Sequence, residues 1–222
     1  MPPRTKFSRE EIIQAAVRIT RQRGFESVTA REIGAELGIS SRPIFTWFDS
    51  MEQLKVAVYE DAKILYRQYL EQGLSRPIPF LGVGQQYIRF AREEPELYKV
   101  LFLTKLNEKS GGAMASLKFA QDLARDSLMR IYNLDGKTAD KYFRNLWLVS
   151  FSFTTLIVTG NCPYSDEEIS AIFTEMSLSL CKAYKEVPGL AEGNFDRDAV
   201  FSELVKKATA PGIRPEKRTE NS

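Results

Sequence analysis

Residues 29–48, "TAREIGAELGISSRPIFTWF", concentrate side chains that donate hydrogen bonds, without a recognisable catalytic constellation among them. Ser40, Ser41 and Arg42 stand together just past Gly38, with Thr46 and Trp47 a few positions on. Hydroxyls and guanidinium groups donate to phosphate oxygens or base edges, and an arginine can hold a guanine through two bonds at once. The rest of the chain offers no competing chemistry. Histidine is absent, which removes the commonest general base, proton shuttle and metal ligand together. Cys162 and Cys181 form no CxxC or metal set, and no GxSxG, P-loop, GxGxxG or HExxH occurs. The expectation is recognition, with no catalytic residues, no metal and no cofactor.

Such donors need a frame, and the sequence punctuates one in helices. Ser8 with Glu11, Thr29 with Glu32, Ser50 with Gln53 and Ser165 with Glu168 have capping-box spacing. Ile12, Ala15, Ala16 and Ile19 repeat at helical spacing up to a stop at Gly24. Residues 29–37 read as a second helix. Gly38 just past its end suits the left-handed conformation, and Gly34 leaves a bare surface for a close crossing. Ile33, Leu37, Ile39, Ile44 and Phe48 supply the apolar contacts. The next helix is expected to start as late as Pro43, with Arg42 pointing outward from its lip. Two short helices joined this way make a helix-turn-helix, whose second helix is free to enter a groove. The same spacing also fits a surface helical hairpin that binds nothing.

Beyond Ser50, the stripe Leu54, Ala57, Val58, Ile64 and Leu65 predicts a long helix to near Gly73. Residues 75–84 are rich in Pro and Gly and read as a break. A helix, a halt before Pro95, a short helix, a loop at 107–112 and a helix over 113–133 follow. Residues 138–159 are apolar almost all round, which predicts burial on nearly every side. Residues 165–185 carry Ile169, Ile172, Phe173, Met176, Leu180 and Tyr184 at helical spacing. The fold class is all-α: an N-terminal three-helix helix-turn-helix domain over 6–66, a helical domain over 75–208, and a polar, disordered tail over 209–222.

The chain has 222 residues, 43% hydrophobic and 27% charged, which is ordinary for a packed globular protein. Its net charge of +2 names no partner, but residues 1–23 hold six basic side chains (Arg4, Lys6, Arg9, Arg18, Arg21, Arg23) against Glu10 and Glu11. That arm and first helix form either a phosphate-attracting surface or an ordinary solvated face. No signal peptide opens the chain, and the longest apolar run, 146–158, falls short of the ~20 residues a membrane span needs. A cytoplasmic protein with reduced thiols is expected.

Residues 8–58 resemble the N-terminal domain of the TetR family of transcriptional regulators. Gly24-Phe25 matches the family's Gly-aromatic end of the first helix. Ile44-Phe45-Thr46-Trp47-Phe48 stands where the family has an "LYxYF" run, and "SMEQL" at 50–54 resembles its "SKEEL". "YIRFAREEPELYKVLF" and "LWLVSFSFTTLIVTG" are similar to segments of many family C-terminal domains. The resemblance implies a sequence-specific DNA-binding regulator, a repressor released by a small-molecule effector. It places Thr29 and Arg31 on phosphates, and Ser40, Ser41, Arg42 and Thr46 in the groove, with Arg42 the candidate base reader. Trp47 would offer its indole N–H to a phosphate, Lys55 would lie near the backbone, and Arg4 and Lys6 would reach a minor groove. Ser41 and Arg42 replace a common Lys-Gly pair, so operator sequence does not transfer. Met51 replaces a phosphate-binding Lys.

The resemblance also implies a homodimer through helices 138–159 and 165–185, with an effector pocket enclosed by residues 80–133. Tyr87, Phe90, Tyr98, Phe102, Met114, Phe119, Trp147 and Phe151 are its candidate lining, with plain core as the other reading. With no His and few central charges, the expected effector is small and apolar or aromatic. The alternative function is an all-α small-molecule-binding module or enzyme whose N-terminal hairpin is purely structural.

Overall fold

The computed structural model describes residues 7–106 and 112–208. Helix α1 (Arg9–Arg23) opens on a closed capping box. The Ser8 hydroxyl accepts the Glu11 N–H at 3.2 Å, and the Glu11 carboxylate accepts the Ser8 N–H at 2.7 Å. Its inward face carries Ile12, Ala15, Ala16 and Ile19, as their spacing predicts. A 3₁₀ turn at Phe25–Ser27 leads to α2 (Ala30–Leu37), a second 3₁₀ turn at Arg42–Thr46 follows, and α3 (Met51–Leu74) runs on from there.

The four expected capping boxes form to different degrees. Ser165 and Glu168 close reciprocally, like Ser8 and Glu11. Thr29 accepts the Glu32 N–H, but the Glu32 carboxylate is held by Arg23. Ser50 accepts the Gln53 N–H, while Gln53 Oε1 accepts from Asp49 N–H at 2.7 Å, one residue before the cap.

Residues 79–84 are not part of a break. Helix α4 (Pro79–Glu93) already begins at Pro79, where a missing N–H is harmless. The glycines there serve packing. A Cβ on Gly82 would stand 2.3 Å from the Gly73 carbonyl oxygen, and one on Gly73 would stand 2.6 Å from Val83 N. The α3 and α4 backbones therefore touch, and only glycine permits it. Helix α5 (Pro95–Tyr98) widens into a π turn at Lys99–Leu103. Then come α6 (Ala113–Tyr132), α7 (Gly136–Val158) and α8 (Asp166–Glu186). Helix α9 (Arg197–Ala208) is announced only by Asp196, whose carboxylate accepts the Ala199 N–H at 3.0 Å.

The chain divides into two compact units, Met1–Ser177 and Leu178–Ser222, with the boundary inside α8. The core of the first unit is aromatic, built from Tyr66, Tyr87, Phe90, Tyr98 and Phe102, each at most 2% exposed. Helix α7 is less enclosed than its composition predicts. Tyr142, Phe143, Leu146, Trp147 and Phe153 are buried, yet Leu148 is 49% exposed and Arg144 and Ser152 also face out. On α8, Ile169 and Phe173 are buried while Met176 is exposed. Among the described residues there is no β-strand, and no helix is long and apolar enough to cross a membrane. The expected loop over 107–111, the N-terminal arm over 1–6 and the tail over 209–222 lie outside the described residues.

Candidate nucleic-acid interface

The reading edge is made by backbone devices. Thr29 Oγ1 fixes the start of α2, and Gly38 ends it in the left-handed conformation (φ 65°, ψ 36°). The Ile39 N–H then reaches back to the Gly34 carbonyl at 2.8 Å, folding the turn against the helix it left. Gly34 is needed for that return, because a Cβ there would sit 2.8 Å from the Ile39 carbonyl oxygen and 3.4 Å from Ser41 N. The close approach is thus to the turn itself, not to a crossing helix.

The second element of the motif is a 3₁₀ turn at Arg42–Thr46, shorter than the expected α-helix from Pro43. Pro43 contributes no N–H, and the Ile44 N–H bonds the Ser41 carbonyl and the Trp47 N–H the Ile44 carbonyl, three residues apart. Ile44 and Phe48 are wholly buried, which fastens one side. Ser40, Ser41, Arg42, Phe45, Thr46 and Trp47 occupy the outer side. Phe45, 49% exposed, is the residue that the sequence reading passes over. The signal was available, since inward Ile44 and Phe48 are four apart and Phe45 lies between them. A phenyl ring there can meet a thymine methyl group.

Charge pairing separates the arginines into two sets. The basic side of α1, a candidate phosphate surface, is spent inside the chain. Arg18 pairs with Glu36 at 3.0 Å, Arg23 pairs with Glu32, and Arg21 holds Glu94 through two bonds of 2.8 Å. Those bonds raise the Arg21 pKa further above its ordinary value, chiefly through the Glu94 hydrogen bonds. Arg31 and Arg42 make no ion pair among the described residues and are exposed. Lys55 lies over the Phe25 ring at 5.2 Å and 3.8 Å from the exposed Glu26 carboxylate. The Trp47 indole N–H, expected to be offered to a phosphate, is donated instead to the Phe7 carbonyl at 3.1 Å. The ring thereby ties the turn to the start of the chain. Arg4 and Lys6 lie outside the described residues.

Residues 12–58 match the family described as bacterial regulatory proteins, tetR family. Residues 12–58 therefore carry the N-terminal DNA-binding domain of the TetR family of transcriptional regulators. It is similar to an uncharacterised HTH-type transcriptional regulator of Mycobacterium tuberculosis, 26% identical over 79% of this chain and 80% of that one. In fold it is similar to the fatty acid degradation regulator FadR of Bacillus halodurans. That TM-score is 0.56, with 16% identity over 78% of this chain and 94% of that one. The multidrug binding protein EbrR complexed with ethidium gives a TM-score of 0.52, with 21% identity over 79% and 99% of the two chains. Regulators of this family bind operator DNA and dimerise. The TetR-type motif of this chain makes it a DNA-binding transcriptional regulator.

In the body of the regulator, the candidate pocket residues separate. Tyr87, Phe90, Tyr98, Phe102 and Trp147 come together, joined by Tyr66 from α3. Tyr98 stacks on Phe102 at 4.4 Å, and Trp147 stacks on half-buried Phe151 at 5.0 Å. Met114 does not join them. It is 67% exposed, because the inward face of α6 is Leu117, Ala120, Ala124 and Leu128 and Met114 falls off that stripe. Phe119 sits at the edge, under the cationic groups of Lys63 and Arg67 at 5.3 and 5.0 Å. A hydroxyl chain crosses the cluster: Tyr87 and Tyr98 hydroxyls lie 3.0 Å apart, and Tyr98 meets Thr154 Oγ1 at 2.6 Å. Burial raises the pKa of Tyr66, Tyr87 and Tyr98, which keeps all three protonated. The remaining void in the cluster is about 20 Å³, close to the volume of one water.

Proposed function

We propose that this regulator is a repressor that reads its operator through Ser40, Ser41, Arg42, Phe45 and Thr46. Arg42 pairs with a guanine, and Thr29, Arg31 and Lys55 hold phosphates on either side. Arg4 and Lys6 extend the contact toward the minor groove. The observation that carries the reading is the exposure of Arg42 and Arg31 without an internal carboxylate, on the same edge where Ser40, Ser41, Phe45, Thr46 and Trp47 also face outward. Trp47 acts in this reading as a strut, since its N–H is already engaged. The protein acts on DNA in the cytoplasm and is not an enzyme.

Two copies pair through helices 138–159 and 165–185, whose exposed Leu148 and Met176 would then be covered. Pairing brings two short reading turns onto two half-sites about one helical turn, ~34–36 Å, apart. A small apolar or aromatic effector enters the aromatic body and weakens operator binding. The route is the α4 C-terminus, where Glu94 grips Arg21 of α1. The likeness in fold to multidrug-binding EbrR supports an effector of this kind. An effector acts only by favouring the state that binds DNA poorly, and the coupling is reciprocal.

The test is a gel-shift with DNA from immediately upstream of the protein's own gene, using the wild type and Arg42→Ala. A sequence-independent shift, unaltered by the substitution, would overturn the reading. For the dimer, Met176→Asp places an unpaired carboxylate in the bundle and should separate the chains in sedimentation. A folded dimer from that variant would move the interface elsewhere.

A further inference from the structure

Two spaces lie on either side of Phe173. One is the void of about 20 Å³ inside the aromatic cluster, bounded by Tyr66, Tyr87 and Trp147. The other is a surface groove of about 450 Å³ along α4 and the first turns of α8, with Arg89, Arg92 and Asp166 at its rim. The groove falls in the range of small-molecule pockets, ~300–1,000 Å³, and the void does not. Phe173 lines both. Its ring rests on bare backbone: a Cβ on Gly84 would stand 2.8 Å from two of the ring carbons. One turn earlier in α4 the Phe80 ring packs against it at 5.9 Å, but at Gly84 itself no side chain backs the ring. Phe173 is 3% exposed, and a rotation of its ring would join the two spaces that it separates.

The chemistry of the joined space is specific. The Trp147 indole Nε1 is buried, without an acceptor among the described residues, on a side chain only 5% exposed. Two other polar groups of the lining are already satisfied. Ser150 Oγ donates to the Leu146 carbonyl at 3.1 Å, and the Tyr87 hydroxyl pairs with Tyr98. An N–H held from water with no acceptor is unfavourable, and a guest that brings an acceptor removes that cost. At the rim, Arg92 pairs with Asp166 at 2.6 Å and Arg89 with Glu93 at 2.8 Å, so the opening favours neither sign of charge.

We infer that Phe173 is a door between groove and void, and that it admits a flat, neutral aromatic molecule whose hydrogen-bond acceptor is met by Trp147 Nε1–H. The inference rests on the effector reading above and gives it an entrance and a ligand class. A guest lodged where the ring now lies presses on α4 at Gly84. The same helix ends at the carboxylate that grips Arg21.

The chain has two tryptophans, so the indole N–H region of a proton–nitrogen spectrum of the full-length protein holds two signals, assigned with Trp47→Phe. The probes are 2-acetylnaphthalene and its near-isostere 2-isopropylnaphthalene, which lacks the acceptor. The ketone should move the Trp147 signal downfield, and the hydrocarbon should bind without that shift. Phe173→Ala should tighten both probes about tenfold, because a shut door divides apparent affinity by the fraction of time it stands open. Gly84→Ala keeps the ring but displaces it, so it should tighten binding in the wild type and add nothing to Phe173→Ala. The inference is overturned if saturating ketone leaves the Trp147 signal in place, if neither variant changes affinity by more than twofold, or if neither probe binds even Phe173→Ala. An effector that weakens operator binding with the door variants silent removes the door and leaves the effector reading. Probes that bind as described without changing operator affinity support the door and remove the effector reading.

Discussion

Trp47 and Trp147 stand in opposite surroundings. Trp47 is 41% exposed on the reading edge, and its N–H is donated to the Phe7 carbonyl. Trp147 is 5% exposed in the body, and its N–H has no acceptor among the described residues. At the reading edge, order comes from backbone devices: a threonine cap, a left-handed glycine, and one apolar anchor on each turn. Of the outward side chains there, Arg31 and Arg42 make no ion pair among the described residues, and in the proposed function their partner is DNA, which supplies its own acceptors. In the body, order comes from ring packing, and the polar groups must satisfy each other. The Trp147 donor left over there is the group that the inferred guest would meet, whereas a donor left over at the exposed edge has water within reach.

That contrast is open to direct attack. The largest effect is expected in the body. Phe90→Ala removes a ring 5.2 Å from both Tyr66 and Tyr69 and should cost ~3–5 kcal/mol in urea unfolding. A loss below ~1 kcal/mol would show that the cluster is already loosely packed. Arg42→Ala should leave unfolding within ~0.5 kcal/mol of the wild type, as expected for an exposed side chain without an internal partner. The same variant should lose ~1–3 kcal/mol of operator binding and relax preference at one position in each half-site. A uniform loss across all sequences would make it a phosphate contact. Thr29→Ala should cost ~1 kcal/mol of stability through the lost cap to the Glu32 N–H. An unchanged stability would mean that the cap contributes nothing to the motif. The smallest effect belongs to Arg18→Ala. It breaks a half-exposed pair worth ~0–1 kcal/mol and should leave the salt dependence of operator binding unchanged, since Arg18 faces Glu36 and not phosphate. A shallower salt slope would return α1 to the DNA-binding surface.

Some of the molecule is legible in short stretches because the interactions are short. Ser8 with Glu11, Ser165 with Glu168, and Gly38 after Leu37 act over one to three residues, so their spacing alone predicts the caps and stops. The TetR-type succession of elements adds up from such local signals, and the all-α class follows from their repetition. Phe45 stands next to the equally apolar Ile44, so composition does not separate the two, and the four-residue spacing of Ile44 and Phe48 is the signal that Phe45 faces out.

Tertiary structure alone decided what charges and glycines mean. Arg18, Arg21 and Arg23 look like a basic surface in sequence, but their carboxylates come from positions 18, 73 and 9 residues away. Helix crossings bring those partners in, and no local pattern encodes a crossing. Gly82 and Gly84 resemble loop residues in sequence, yet they are the places where α4 meets the Gly73 backbone and the Phe173 ring. Met114 looks like pocket lining until the rotation of α6 turns it outward. Sequence fixes which residues can cap, turn and donate, because those acts need only near neighbours. Which donors remain unmet depends on every other helix, because a partner distant along the chain is set only when the chain packs.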